Sequence, residues 1–209
     1  MELRLALRRL VLLGTPLAFA TLKIFHPQPS GVRESVERGG WFMWFHIIQV
    51  PLTGLIALAV CLLTDGLQGR AAMVSRWAIG VFAVFFSAYD TTAGIATGYA
   101  MRNVQGLSAV AQEAVHEAVI DMPGLSLIFG LSMVGTGAWV VALIAAAIAL
   151  RRAGASRGSF IFLILAGVFL MGGHTFPFGT LAFGCFFLAT AWLELASGRL
   201  TSASQPLRT

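Results

Sequence analysis

FAVFFSAYDTTAGIATGY, residues Phe82–Tyr99, reads as the middle of a membrane-crossing helix, and it carries Asp90. The other acids of the chain lie near segment ends or in polar connections. A carboxylate at bilayer depth costs roughly 2.5–3.5 kcal/mol on insertion scales, so one that is kept there marks a candidate functional site. Around it, Ala83, Ser87, Asp90, Gly94 and Thr97 recur at steps of three and four. On a helix that spacing makes one small, polar stripe, which turns Asp90 toward a bundle interior. Gly94 and Gly98 add a small-xxx-small pattern suited to close helix contact.

The rest of the chain agrees with a membrane setting. Of its 209 residues 57% are hydrophobic and only 11% charged, and the mean hydropathy is +0.83. A soluble domain carries about twice that charge. The net charge of +5 does not point to nucleic acid, because the basic residues sit at the ends of apolar blocks, as the positive-inside rule requires. Arginine far outnumbers lysine, whose one representative is Lys23, and Ala and Gly are abundant, which hints at a GC-rich bacterial source. Cys61 and Cys185 fall toward opposite membrane faces and read as small buried apolar residues.

Taken in order, the chain divides into six spans forming one all-α, polytopic transmembrane bundle over residues 1–209. The first span is about 5–25, with Lys23 able to snorkel to the surface. Its basic start and Ala18-Phe19-Ala20 also describe a cleavable signal peptide, but apolar character continues through Ile24 and Phe25, which favours a retained helix. HPQPSGVRESVERGG, His26–Gly40, reads as a polar loop opened by prolines and closed by glycines. The second span, 41–63, contains Pro51, and the third is 76–101. Residues 107–121 have the period of a short surface helix with Leu107, Val110, Ala111, Ala114, Val115 and Ala118 on its apolar face. Asp121 or Met122 with Pro123 starts the fourth span, 124–150. The fifth is 160–173 and the sixth 179–196, split by GGHTFPFG, and 197–209 reads as a disordered tail.

With both termini cytoplasmic, Arg4, Arg8, Arg9, Arg70, Arg76, Arg151, Arg152, Arg157, Arg199 and Arg208 lie inside, against Lys23, Arg33, Arg38 and Arg102 outside. Ten against four is the bias of a bacterial cytoplasmic membrane protein with six spans. His26, His46, His116 and His174 then all fall at or near the extracytoplasmic face, with Glu113, Glu117 and Asp121. The fifth span is too short for a hydrocarbon core of about 30 Å, so the turn carrying His174 is expected below the outer surface. His46 and His174 would stand midway in an outward-facing dent, with Asp90 at its floor.

These placements favour a pocket that binds or transports a small polar solute, an ion or a lipid headgroup. Asp90 is its charge-bearing group, with His46, His174, Ser87 and Thr97 as candidate neighbours. The alternative is a metal- or haem-dependent membrane enzyme using His46, His174 and Asp90, with His116 and Glu113 as further ligands. Glu113 and His116 have the E-x-x-H spacing of di-iron bundles, but it occurs once, on a face expected to be solvated. A third reading is an accessory subunit whose polar stripe takes a partner helix, and a homodimer could complete a transporter. The bilayer itself is the one partner the composition requires. No Walker loop, dinucleotide fingerprint, Ser-His-Asp arrangement or repeat is present.

Overall fold

The computed structural model describes residues 2–121 and 127–203, and among these it is all-helical. The helices are α1 (Glu2–Ile24), α2 (Val32–Leu63), α3 (Arg70–Asn103), α4 (Ala109–His116, running into a wide turn at Glu117–Asp121), α5 (Leu127–Arg152), α6 (Arg157–Met171) and α7 (Phe178–Ala203). Among the described residues five helices are long and apolar enough to cross a membrane: α1, α2, α3, α5 and α7. The sixth apolar helix, α6, has 15 residues and rises about 22 Å, short of a hydrocarbon core. Each long helix packs on its predecessor and α7 closes back on α1, so the bundle is a ring in the order α1, α2, α3, α5, α6, α7.

Several boundaries differ from the sequence expectation, and the reasons are local. The second helix starts at Val32, not 41, and takes in the segment read as loop. Its charges are helix-spaced pairs, Arg33–Glu37 at 2.8 Å and Arg38–Glu34 at 3.0 Å, and Glu34 also accepts from the Ser30 N–H and hydroxyl at the helix start. Gly39 closes no loop; a Cβ there would lie 2.7 Å from the Arg102 nitrogen, so the glycine marks where α3 crosses α2. The third helix begins at Arg70, the surface helix at Ala109 behind a Ser108 cap, and α6 at Arg157 behind a Ser156 cap. The last helix continues to Ala203, where a tail was expected from 197. The expected cap at Met122 and Pro123, the start of the fourth span at 124, and residues 204–209 lie outside the described residues.

The surface helix also turns differently. Val115 and Val119 pack against Val36, Met101 and Val104, while Val110, expected on the buried face, is 81% exposed. Gln112 donates to the carbonyls of Val104 and Leu107. Satisfying those carbonyls turns α4 so that it caps the α2–α3 pair.

Two widened π turns interrupt the long helices for identifiable reasons. Leu10–Gly14 lies directly ahead of Pro16, which has no N–H to give and crowds the preceding turn. Asp90–Ala96 frees carbonyls just before it, and two hydroxyls take them up: Thr91 donates to Ser87 O and Thr92 to Ala88 O, both at 2.8 Å. The dipeptide following Asp90 thereby supplies the hydrogen bonds that the widened turn gives up.

The bundle axis is filled by rings. Phe19 stacks on Phe183 at 4.0 Å between centroids, and Trp139 meets Phe82, Phe183 and Phe186 at 5.0, 5.4 and 5.8 Å. Trp139 is fully buried and its indole N–H donates to Ala166 O at 2.9 Å, tying α5 to α6. Trp139→Phe removes that bond and leaves a void, so the detergent-solubilised variant is expected to lose about 2 kcal/mol in chemical unfolding. At one end Arg8 and Arg9 flank Glu194 at 3.4 and 3.2 Å, joining α1 to α7. The opposite end carries the histidines.

Candidate functional site

Three fully buried polar side chains form a hydrogen-bonded chain across three helices. Lys23, near the end of α1, donates its ammonium to Gln49 Oε1 on α2, and Gln49 Nε2 donates to Asp90 Oδ2 on α3. A carboxamide suits the middle position because it accepts at one end and donates at the other. It therefore links a cation and an anion that do not touch. The ammonium also faces the rings of Phe19, Phe45 and Phe86, 5.4, 5.8 and 6.0 Å from their centroids. Such faces stabilise a cation removed from water.

Lys23 does not snorkel to the surface as the sequence suggested. Gln49 and Asp90 give its charge partners inside the bundle, and a lysine four carbons from its backbone can reach inward as readily as outward. His26, read as loop structure, is the second departure. Its ring lies 5.3 Å from that of His46 and 5.2 Å from that of His174, all three edge-on. His174 in turn touches Tyr89 at 5.3 Å and Phe86 at 5.9 Å. The histidine trio therefore sits directly against the Lys23–Gln49–Asp90 chain, and the Lys23 charge acts on all three rings.

Backbone carbonyls set the tautomers. His26 Nδ1 contacts Pro27 O at 2.9 Å and His46 Nδ1 contacts Phe42 O at 2.8 Å. A carbonyl only accepts, so each Nδ1 carries the hydrogen and each Nε2 keeps its lone pair. Buried His26 Nε2 and Asp90 Oδ1 both lack a partner within the described residues, so the site holds unused accepting capacity. His46 can lie this deep because it packs on Gly94 of α3, where any Cβ would collide with the imidazole.

The sequence candidates separate on this geometry. Asp90, His46 and His174 belong to one cluster. Ser87 does not serve as Asp90's partner; it offers its carbonyl to Thr91, and Gln49 takes the carboxylate. Thr97 is buried about two turns beyond Asp90, beside Ser35, Gly39 and Phe42 in the α2–α3 crevice. Glu113 and His116 ride on α4, which meets α2 at the level of Val36, about 15 Å along the helix from His46. No group of three or more His, Cys, Asp or Glu among the described residues is placed to hold a metal ion. Sequence reasoning missed Lys23, Gln49, His26 and Tyr89 as site members. For Gln49 the signal was present: His46, Gln49 and Thr53 step by three and four along α2, a polar stripe matching that of α3.

Beside the cluster lies a cavity of about 370 Å³. Its walls are Phe129, Ser132, Met133, Thr136, Gly137 and Val140 of α5 and Leu170, Met171, Gly172, Gly173 and His174 at the end of α6. The shortness of α6 creates it: α5 has 26 residues against 15, so the first turns of α5 run on past the point where α6 ends. His174 belongs both to this cavity wall and to the buried cluster.

Comparison with known protein families, with curated proteins and with solved structures finds no match to this chain.

Proposed function

We propose that this protein is a six-span protein of a bacterial cytoplasmic membrane, with both termini inside, that binds or transports a small polar solute, ion or lipid headgroup at its histidine end. The observation that carries the reading is the buried Lys23–Gln49–Asp90 chain. Two ionisable groups inside an apolar bundle cost more than apolar residues of similar volume, so stability alone gives no reason to keep them. Asp90 supplies charge, Lys23 balances it, and Gln49 fixes their geometry. His174 joins this network to the cavity, where a ligand's polar group can be met. The spare acceptors on His26 and Asp90 can take a proton or a donor when the site is engaged.

Thermal-shift screening of the detergent-purified protein against small ions, zwitterions, phospholipid headgroup analogues and uncharged short-chain alcohols tests this. At least one compound is expected to raise the midpoint, by about 2.7 kcal/mol equivalent at a hundred times its dissociation constant. That shift should vanish in Asp90→Asn. A panel without any shift, or a shift that Asp90→Asn keeps, removes the reading. Orientation is checked separately: a reporter after Arg152 is expected in the cytoplasm and one at Gly106 outside, and the reverse result overturns the topology.

A further inference from the structure

We infer that the ligand is an uncharged amphiphile with one apolar chain and a carbonyl or hydroxyl head, which enters sideways from the bilayer between α5 and the end of α6. This rests on the lipid-headgroup arm of the reading above and names the class of head and chain for the same site. The cavity lies along the first half of α5, within a helix long and apolar enough to span the membrane. Its outer rim is formed by Phe129, Met133 and Met171, which are 60, 56 and 68% exposed and face away from the bundle. In a membrane those side chains meet lipid, so the cavity opens to acyl chains.

Among the described residues no charged side chain lines the cavity. A hydrated ion or charged solute would lose its water there without compensation. An apolar chain loses nothing, and Ser132, Thr136 and His174 supply hydrogen bonds to one polar end. The volume falls at the low end of ordinary ligand sites, enough for a small head and part of a chain, with the remainder trailing into lipid. His174 also touches His26 and Tyr89, so a head bonded to it lies against the rings of the buried cluster.

The test is photolabelling of the full chain in phospholipid nanodiscs with a long-chain alcohol that bears a diazirine. Labels are expected on α5 between Phe129 and Val140 and at Leu170–Met171. Gly137→Leu fills the cavity, and a Cβ at Gly137 meets nothing within 4 Å, so the variant keeps its fold. Labelling should fall about tenfold or more in it. His174→Phe should weaken labelling by the alcohol about fivefold while leaving a matching alkane probe unchanged, because only the alcohol loses a hydrogen bond. Uniform labelling of all lipid-facing surfaces, indifferent to Gly137→Leu, overturns the inference. So does labelling of the same strip by a water-soluble diazirine, or labelling that disappears as the protein-to-lipid ratio rises, which assigns the strip to contact between copies. None of these results touches the response of Asp90→Asn in the thermal-shift panel, so the two readings fail separately.

Discussion

Asp90→Asn is expected to destabilise the solubilised protein by about 3–5 kcal/mol, and Lys23→Met by a similar amount. Each single change leaves the opposite charge buried with no counterion among the described residues, where both side chains are fully enclosed and linked through Gln49. The double variant Lys23→Met with Asp90→Asn removes both charges together. Gln49 can still donate to the carboxamide oxygen introduced at position 90 in place of the carboxylate. Its cost should therefore fall short of the sum of the singles by about 2 kcal/mol. Denaturant unfolding of the four proteins forms the cycle. Additive losses would show that the two charges do not stabilise one another, and the network would lose its electrostatic rationale.

The second large effect concerns the α2–α3 crossing. A Cβ on Gly98 would stand 2.5 Å from Met43 N and 2.7 Å from Met43 Cα, both backbone atoms. A backbone cannot step aside as a side-chain tip can, so the helices must separate. Gly98→Ala is expected to cost about 2–3 kcal/mol, and Gly39→Ala a comparable amount against Met101 and Arg102. Gly80→Ala on the same helix meets nothing within 4 Å and should stabilise by up to about 1 kcal/mol through helix propensity. Opposite signs for the same substitution on one helix, read as shifts in thermal midpoint, separate packing from propensity. Equal effects at Gly98 and Gly80 would refute the close crossing.

These two sites also show what could be read from the chain. Asp90 stood out because a lone acid in an apolar run is rare at depth, whereas the stripe read from an unbroken helical period is interrupted by the widened turn that begins at Asp90. The long apolar blocks and their arginine-capped ends could likewise be recognised without coordinates. His26–Gly40 misled for a physical reason. Its prolines and glycines look like punctuation and its charges like a solvated loop, yet the charges are spaced for i,i+4 pairing and Gly39 is a contact point. Glycine at a helix crossing and glycine at a turn are the same letter; only the approach of a second helix distinguishes them. Lys23 was harder still. Near a helix end a lysine has two low-cost destinations, and the choice depends on Gln49 lying across from it. That register between α1 and α2 is set by packing, not by any local period. His174 was readable as a residue in a turn at depth, but its contacts with His26 and Tyr89 depend on how α6 and α7 close the ring.

The widened turn at Asp90–Ala96 makes α3 a helix with two phases. One residue more than an α turn rotates everything beyond it by about 100° relative to an unbroken helix. The first half can then aim Phe82 and Phe86 at the aromatic axis, while the second aims Gly94 and Gly98 at α2. Deleting a single residue within 91–96 would barely alter composition or hydropathy. It would nevertheless put the two halves back in phase, so that either the carboxylate or the glycine crossing faces the wrong neighbour. Spacing along this stretch is thus as much a determinant of the site as the residues that occupy it.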